Sequence, residues 1–165
     1  MRRSVAAAGS TLFLAAAPGV VAGAVPWLLT RWQAGDHPYP FGVRAVGAAS
    51  VTGGGVALAY AFAGFVREGR GTPAPVAPTE GLVIGGLYRH VRNPMYVAVL
   101  AVVLGQALLL ARPVLVVYAG GLGAAFVAFV RGYEEPALRR RFGEDYEAYR
   151  RQVPAWWPRL RPWRP

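Results

Sequence analysis

The chain has 165 residues, 55% hydrophobic and 16% charged, with 18 basic against 8 acidic side chains and no cysteine. At this length one domain is expected, and disulfides, thiolate nucleophiles and cysteine-based metal sites are excluded; His37 and His90 stand far apart without partners at metal-ligand spacing, so no metal site is expected. A net charge of +10 invites a nucleic-acid interpretation, but the arginines gather at the ends of apolar segments, which points to a membrane and to no nucleic acid.

Four stretches, 4–30, 45–66, 94–111 and 113–130, are long and nearly uncharged. A helix needs about 20 apolar residues, with roughly 17 as a lower limit, to cross the hydrocarbon layer. The last two have 18 residues each, about 27 Å at ~1.5 Å per residue, enough for a nearly upright helix. The pattern predicts an all-α integral membrane bundle, with transmembrane helices over about 4–30, 43–66, 94–111 and 113–131. A C-terminal amphipathic surface helix completes a single domain over 1–165.

In chain order, the first helix carries Pro18 and Pro26, which are expected to bend it. Its basic start and Ala22-Gly23-Ala24 have the form of a cleavable signal, whereas the continuing apolar run through Val25, Trp27 and Leu29 favours a retained helix. His37, between Asp36 and Pro38, reads as a solvated loop residue. The second helix contains Gly53-Gly54-Gly55 with no Lys-Ser/Thr after it, so it is no phosphate loop; small residues that let backbones approach are the simpler account. Residues 67–93 form a Pro- and Gly-rich cytoplasmic loop that returns toward the membrane. Arg112-Pro113 leaves room only for a tight turn between the third and fourth helices.

Beyond the fourth helix, Leu138, Phe142, Tyr146, Tyr149 and Val153 recur at helical spacing and predict one apolar-aromatic stripe. Pro136 disfavours helical geometry at Glu135, so a break is expected at Glu134-Glu135. Trp156, Trp157 and Trp163, interleaved with arginines, read as interfacial anchors of a tail over 134–165. With a cytoplasmic N-terminus, fifteen arginines fall inside and three (Arg31, Arg44, Arg112) outside, in accord with the positive-inside rule. Both termini are then cytoplasmic, and attraction to anionic membrane lipids accounts for the surplus charge. All basic residues are arginine, the coding bias of a GC-rich bacterial genome, which makes a bacterial inner membrane the expected location.

Two polar groups stand at the cytoplasmic ends of the last two helices. One is Tyr88-Arg89-His90-Val91-Arg92-Asn93-Pro94-Met95-Tyr96; the other is Tyr133-Glu134-Glu135. A tight hairpin of equal helices should bring them face to face at one depth. Adjacent carboxylates at a membrane border are costly unless cations or donors meet them, and the first group supplies both.

These two motifs, "GLYRHVRNPMYVAVL" and "YEEPALRRRFGEDYEAYRRQVPAWWPR", at this separation resemble the isoprenylcysteine carboxyl methyltransferase and phospholipid methyltransferase family of integral membrane enzymes. The resemblance covers about residues 81–159. It implies S-adenosylmethionine as cofactor and a lipophilic small-molecule or lipid-modified acceptor presenting a carboxylate, thiol or amine. The family's Arg-His-Pro-x-Tyr signature falls on Arg92, Asn93, Pro94 and Tyr96, its Glu-Glu pair on Glu134 and Glu135, and its Phe-Gly-x-x-Tyr-x-x-Tyr element on Phe142, Gly143, Tyr146 and Tyr149. Asn93 stands where His is common and Ala98 where Gly is common; Asn93 hydrogen-bonds but shuttles no proton near neutral pH.

The resemblance implies cofactor-binding roles for Tyr88, Arg89, His90, Arg92, Asn93, Pro94, Tyr96, Glu134, Glu135, Tyr146 and Tyr149, and catalytic roles for Arg92, Glu134 and Arg141. Such roles suit methyl transfer: a carboxylate holds ribose hydroxyls, aromatic faces cover a methylated cation, and arginine clamps a carboxylate in a bidentate grip. One of Arg139, Arg140 and Arg141 is expected near the acceptor. Two other classes are open. Membrane lipid reductases that use NADPH share an Arg-His-Pro element but often carry Asn before the Tyr, where this chain has Met95. A non-catalytic small membrane protein would use its arginines and tryptophans only to fix topology. Oligomeric state is not legible.

Overall fold

The computed structural model describes residues 17–69 and 81–164. The first part of the predicted N-terminal helix and residues 70–80 of the cytoplasmic loop lie outside these. All regular structure among the described residues is helical: α1 (Ala17–Thr30), α2 (Phe41–Gly69), α3 (Pro94–Leu110), α4 (Pro113–Phe129) and α5 (Glu135–Gln152), with a 3₁₀ turn at Gly86–Arg89. Two of these helices, over Phe41–Gly64 and within Pro113–Gln152, are long and apolar enough to cross a membrane; Ala17–Thr30 and Pro94–Leu110 are shorter apolar helices.

α1 stays helical through Pro26. A single π turn, Val20–Ala24, widens the helix just before it, and the Val25 amide bonds Val20 O. This register skips the Val21 carbonyl, and Pro26 has no N–H to give Ala22. Both acceptors are taken from outside α1: Tyr118 Oη donates to Val21 O at 2.8 Å, and Gln106 Nε2 to Ala22 O at 2.7 Å. Gln106 also accepts from Trp32 Nε1 at 3.2 Å, so one buried amide of α3 fastens both the π turn and the loop that follows α1. Gln106→Leu is expected to cost about 1–3 kcal/mol by orphaning the Ala22 carbonyl and the Trp32 indole, read as a lower thermal midpoint in detergent.

α2 and α3 pack with their backbones nearly touching. A Cβ on Gly105 would stand 2.8 Å from both Gly47 O and Val51 N, and one on Gly47 would stand 2.6 Å from Leu109 N. Of the Gly53-Gly54-Gly55 run, only Gly54 faces α3, where an added Cβ would lie 3.0 Å from Ala98 O. Ala98 is thus buried against α2. Ser50 Oγ donates to Ala101 O at 2.9 Å across the same contact.

α3 ends on Ala111 in the left-handed conformation (φ 52°), and Pro113 opens α4 at once. This is the tight hairpin the sequence predicts. Gly35 N donates to Leu110 O at 2.8 Å and Arg112 Nε to Gln33 O at 2.9 Å, so the α1–α2 loop closes over the turn.

The predicted break at the glutamate pair is not there. α4 runs into α5 through a second π turn, Val130–Glu134, with the Glu135 amide bonded to Val130 O and Glu135 itself helical (φ −60°, ψ −45°). The wider turn spares Pro136 the clash with the carbonyl four residues back that an α-helical register imposes. The sharp departure comes later, at Gly143 (φ 51°, ψ −122°), a conformation open to glycine. The predicted stripe survives it: Tyr146, Tyr149 and Val153 form a buried cluster against which Leu138, Phe142, Leu82, Ile84 and Trp163 pack.

Candidate functional site

The start of α3 meets the junction of α4 and α5. Pro94 occupies the first turn of α3, where its missing N–H costs nothing, and this fixes Arg92, Asn93 and Tyr96 around one helix mouth. Opposite, the π turn delivers two successive carboxylates. Arg92 Nη1 lies 2.8 Å from Glu135 Oε1, with each side chain 12% exposed. Tyr96 Oη donates to Glu134 Oε1 at 2.5 Å. Each acidic group therefore has its own partner from the same segment, and the expected face-to-face placement is observed.

Arg92 Nη1 also donates to Tyr146 Oη at 3.1 Å. Arg150 approaches Glu135 from the other side, Nε to Oε2 at 3.6 Å. The Nε atoms of Arg92 and Arg150 are both buried without a hydrogen-bond partner, two orphaned donors beside one carboxylate. Native proteins seldom leave such groups unmet.

Burial raises the Glu134 carboxyl above its ordinary range, and the Tyr96 hydrogen bond opposes that rise. Burial also raises the Tyr146 and Tyr149 phenols, with the nearby Arg92 charge opposing it in both. Both phenols stay protonated at neutral pH, and Tyr149 Oη donates to Tyr88 O at 2.7 Å.

The remaining candidates divide by geometry. Arg89 and His90 serve the C-terminal tail: Arg89 Nε donates to Trp163 O at 2.7 Å, and His90 Nδ1 to Arg159 O at 2.8 Å. Asn93 Nδ2 donates to Ala155 O at 3.1 Å. Main-chain bonds from Arg92 N to Pro154 O, Arg159 N to His90 O and Trp163 N to Arg89 O lay the tail along the same loop. Arg139 pairs with Glu147 at 2.7 Å, and Arg141 lies over the Phe142 ring at 5.6 Å. Arg139, Arg140 and Arg141 are exposed and do not reach the carboxylate pair.

Three residues near the pair were not legible as such: Arg150, Phe126 and Trp156. Tyr96 packs against Phe126 with the rings tilted at 36° and centroids 4.5 Å apart, and lies 6.4 Å from Trp156. Arg150 follows Tyr146 by four residues and so shares its helix face, a usable signal among many arginines. The three tryptophans read as interfacial anchors behave differently: Trp163 packs on Tyr149 at 5.5 Å, Trp156 turns toward Tyr96, and only Trp157 is mostly exposed.

The donor set fits a small polar cation with its own carboxylate: two acidic groups, aromatic faces, and two arginines with spare buried N–H. No group of His, Asp and Glu able to hold a metal occurs among the described residues. A family model described as phospholipid methyltransferase matches residues 44–145, more than half of the chain and both halves of the site. No curated protein and no solved structure matches the chain.

Proposed function

Because the chain belongs to the phospholipid methyltransferase family of membrane methyltransferases, we propose that it moves a methyl group from S-adenosylmethionine to a lipophilic or membrane-delivered acceptor. The observation that carries this reading is the glutamate doublet met by Arg92 and Tyr96 at one helix mouth. S-adenosylmethionine supplies a methyl group already activated on a positive sulfur, so the protein's work is to bind, orient and exclude water.

In this reading Glu134 and Glu135 hold the ribose or amino end, and Tyr96 keeps Glu134 in place. Arg92 and the orphaned N–H of Arg150 meet the carboxylate end of the cofactor. Pro94 and Asn93 shape the loop, with Arg89 and His90 holding it to the tail, and Tyr88, Tyr146 and Tyr149 holding it to the α5 cluster. Arg141, exposed beyond the pair, is the residue for an acidic acceptor.

No histidine faces the carboxylate pair among the described residues, since His90 is engaged with Arg159 O and Asn93 stands at the signature position. A carboxylate or thiolate acceptor needs little help from a base, whereas an ammonium must first lose a proton. This favours an isoprenylcysteine carboxyl methyltransferase-like reaction over amine methylation. The single domain would sit in a bacterial inner membrane with both termini cytoplasmic, taking cofactor from the cytoplasm and acceptor from the lipid.

The test is calorimetric titration of detergent-purified protein with S-adenosylhomocysteine and, separately, NADPH. Saturable binding of the former alone is expected. Binding of NADPH alone would move the chain to the lipid reductases, and binding of neither would leave a structural membrane protein. A labelled methyl donor supplied with extracted lipids and small thiols then identifies the acceptor.

A further inference from the structure

We propose that Trp156 is a specificity-determining wall of the methyl-transfer site, which with Tyr96 and Phe126 selects the positively charged sulfonium over the neutral thioether product. The proposal rests on the reading given under Proposed function and adds a residue that lies outside the matched region, 44–145.

Three observations converge on this residue. First, its position is set by the signature loop itself: the two residues before it are tied down, Pro154 O by Arg92 N at 2.9 Å and Ala155 O by Asn93 Nδ2 at 3.1 Å. The same loop residues that define the site therefore place Trp156. Second, its ring turns inward, half-buried, 6.4 Å from the Tyr96 ring at 38°, while its neighbour Trp157 is 82% exposed. A tail that merely anchored at the interface would have no reason to treat the two so differently. Third, Tyr96 stands between Phe126 at 4.5 Å and Trp156, with its hydroxyl on Glu134. The Tyr96 ring thus has aromatic neighbours from α4 and from the tail while its hydroxyl reaches one carboxylate of the acidic doublet.

Aromatic faces attract a methylated cation through the ring quadrupole, with tryptophan the strongest. The product of methyl transfer has lost its positive charge and with it this attraction. A wall of this kind holds the donor and releases the spent cofactor. The cation-binding contribution belongs to the indole face and not to the volume it fills.

The experiment compares Trp156→Phe, Trp156→Leu and Trp157→Leu with wild type in detergent. Affinities for S-adenosylmethionine and S-adenosylhomocysteine are measured by calorimetry without acceptor. Wild type is expected to prefer the charged ligand. Trp156→Leu, which fills space without a π face, is expected to shrink that preference about fivefold, while Trp156→Phe retains most of it and Trp157→Leu all of it. Equal weakening for both ligands in Trp156→Leu, or no weakening, overturns the assignment and leaves the family reading standing. A wild-type chain that binds both ligands equally also overturns it. A wild-type chain that binds neither removes the cofactor itself, a failure of the broader reading.

Discussion

Glu135→Ala is expected to lower stability by roughly 3 kcal/mol and to remove cofactor binding from the measurable range, the cost of a buried ion pair stripped of one member. Arg92 and Glu135 are both 12% exposed and 2.8 Å apart. Without the carboxylate, the Arg92 guanidinium keeps only Tyr146 as a partner, and its Nε already has none. Arg150 loses Glu135 at the same time and keeps Glu147, 3.6 Å away. Removing both partners in Arg92→Leu/Glu135→Leu should cost less than the two single substitutions summed, because no uncompensated charge remains. Glu135→Gln separates the two effects: a shape-preserving amide that keeps most of the stability while binding falls. Thermal unfolding and calorimetry on the same detergent samples decide it, and an alanine variant that melts with wild type would mean the pair is not closed in solution.

The second large effect is expected far from any charge. Gly105→Val should destabilise by about 3 kcal/mol or more, because its Cβ would meet backbone atoms of Gly47 and Val51 at 2.8 Å and helix backbones cannot swing aside as side chains do. Gly53→Ala is the internal control on the same helix pair, since a Cβ there meets nothing within 4 Å; it should be neutral or gain up to about 1 kcal/mol from helix propensity. Since α3 begins at the signature residues, forcing α2 and α3 apart should also weaken cofactor binding. A valine variant that unfolds with wild type would show that the two helices do not pack at this distance.

Much of this architecture is legible in the residues because burial leaves a pattern. Uncharged runs bounded by arginine mark the apolar helices, Arg112-Pro113 marks the hairpin, and the spacing of Leu138, Phe142, Tyr146, Tyr149 and Val153 marks the buried stripe. The pairing of the glutamates with the Arg92 segment follows from desolvation cost alone. What escapes is backbone detail. The steric rule for the residue before proline predicts a break at Glu135, yet a bond to the fifth residue back admits Pro136 without one; the same device recurs before Pro26. Gly143 looks like any helical glycine until its φ is seen. The tail is held mainly by carbonyls and amides, and these carry no side-chain signature, so tryptophans that resemble headgroup anchors include two that turn inward.

The hydrogen bonds joining the Arg89–Asn93 stretch to the tail link residues 62 to 74 positions apart in sequence, whereas the α3–α4 hairpin closes between immediate neighbours. Closing long loops costs entropy before any contact rewards it, so distant pairings form late. Maturation is therefore expected to have an order: the rods pair first, and the site at the glutamate doublet is completed last, when the tail folds back onto a scaffold already standing.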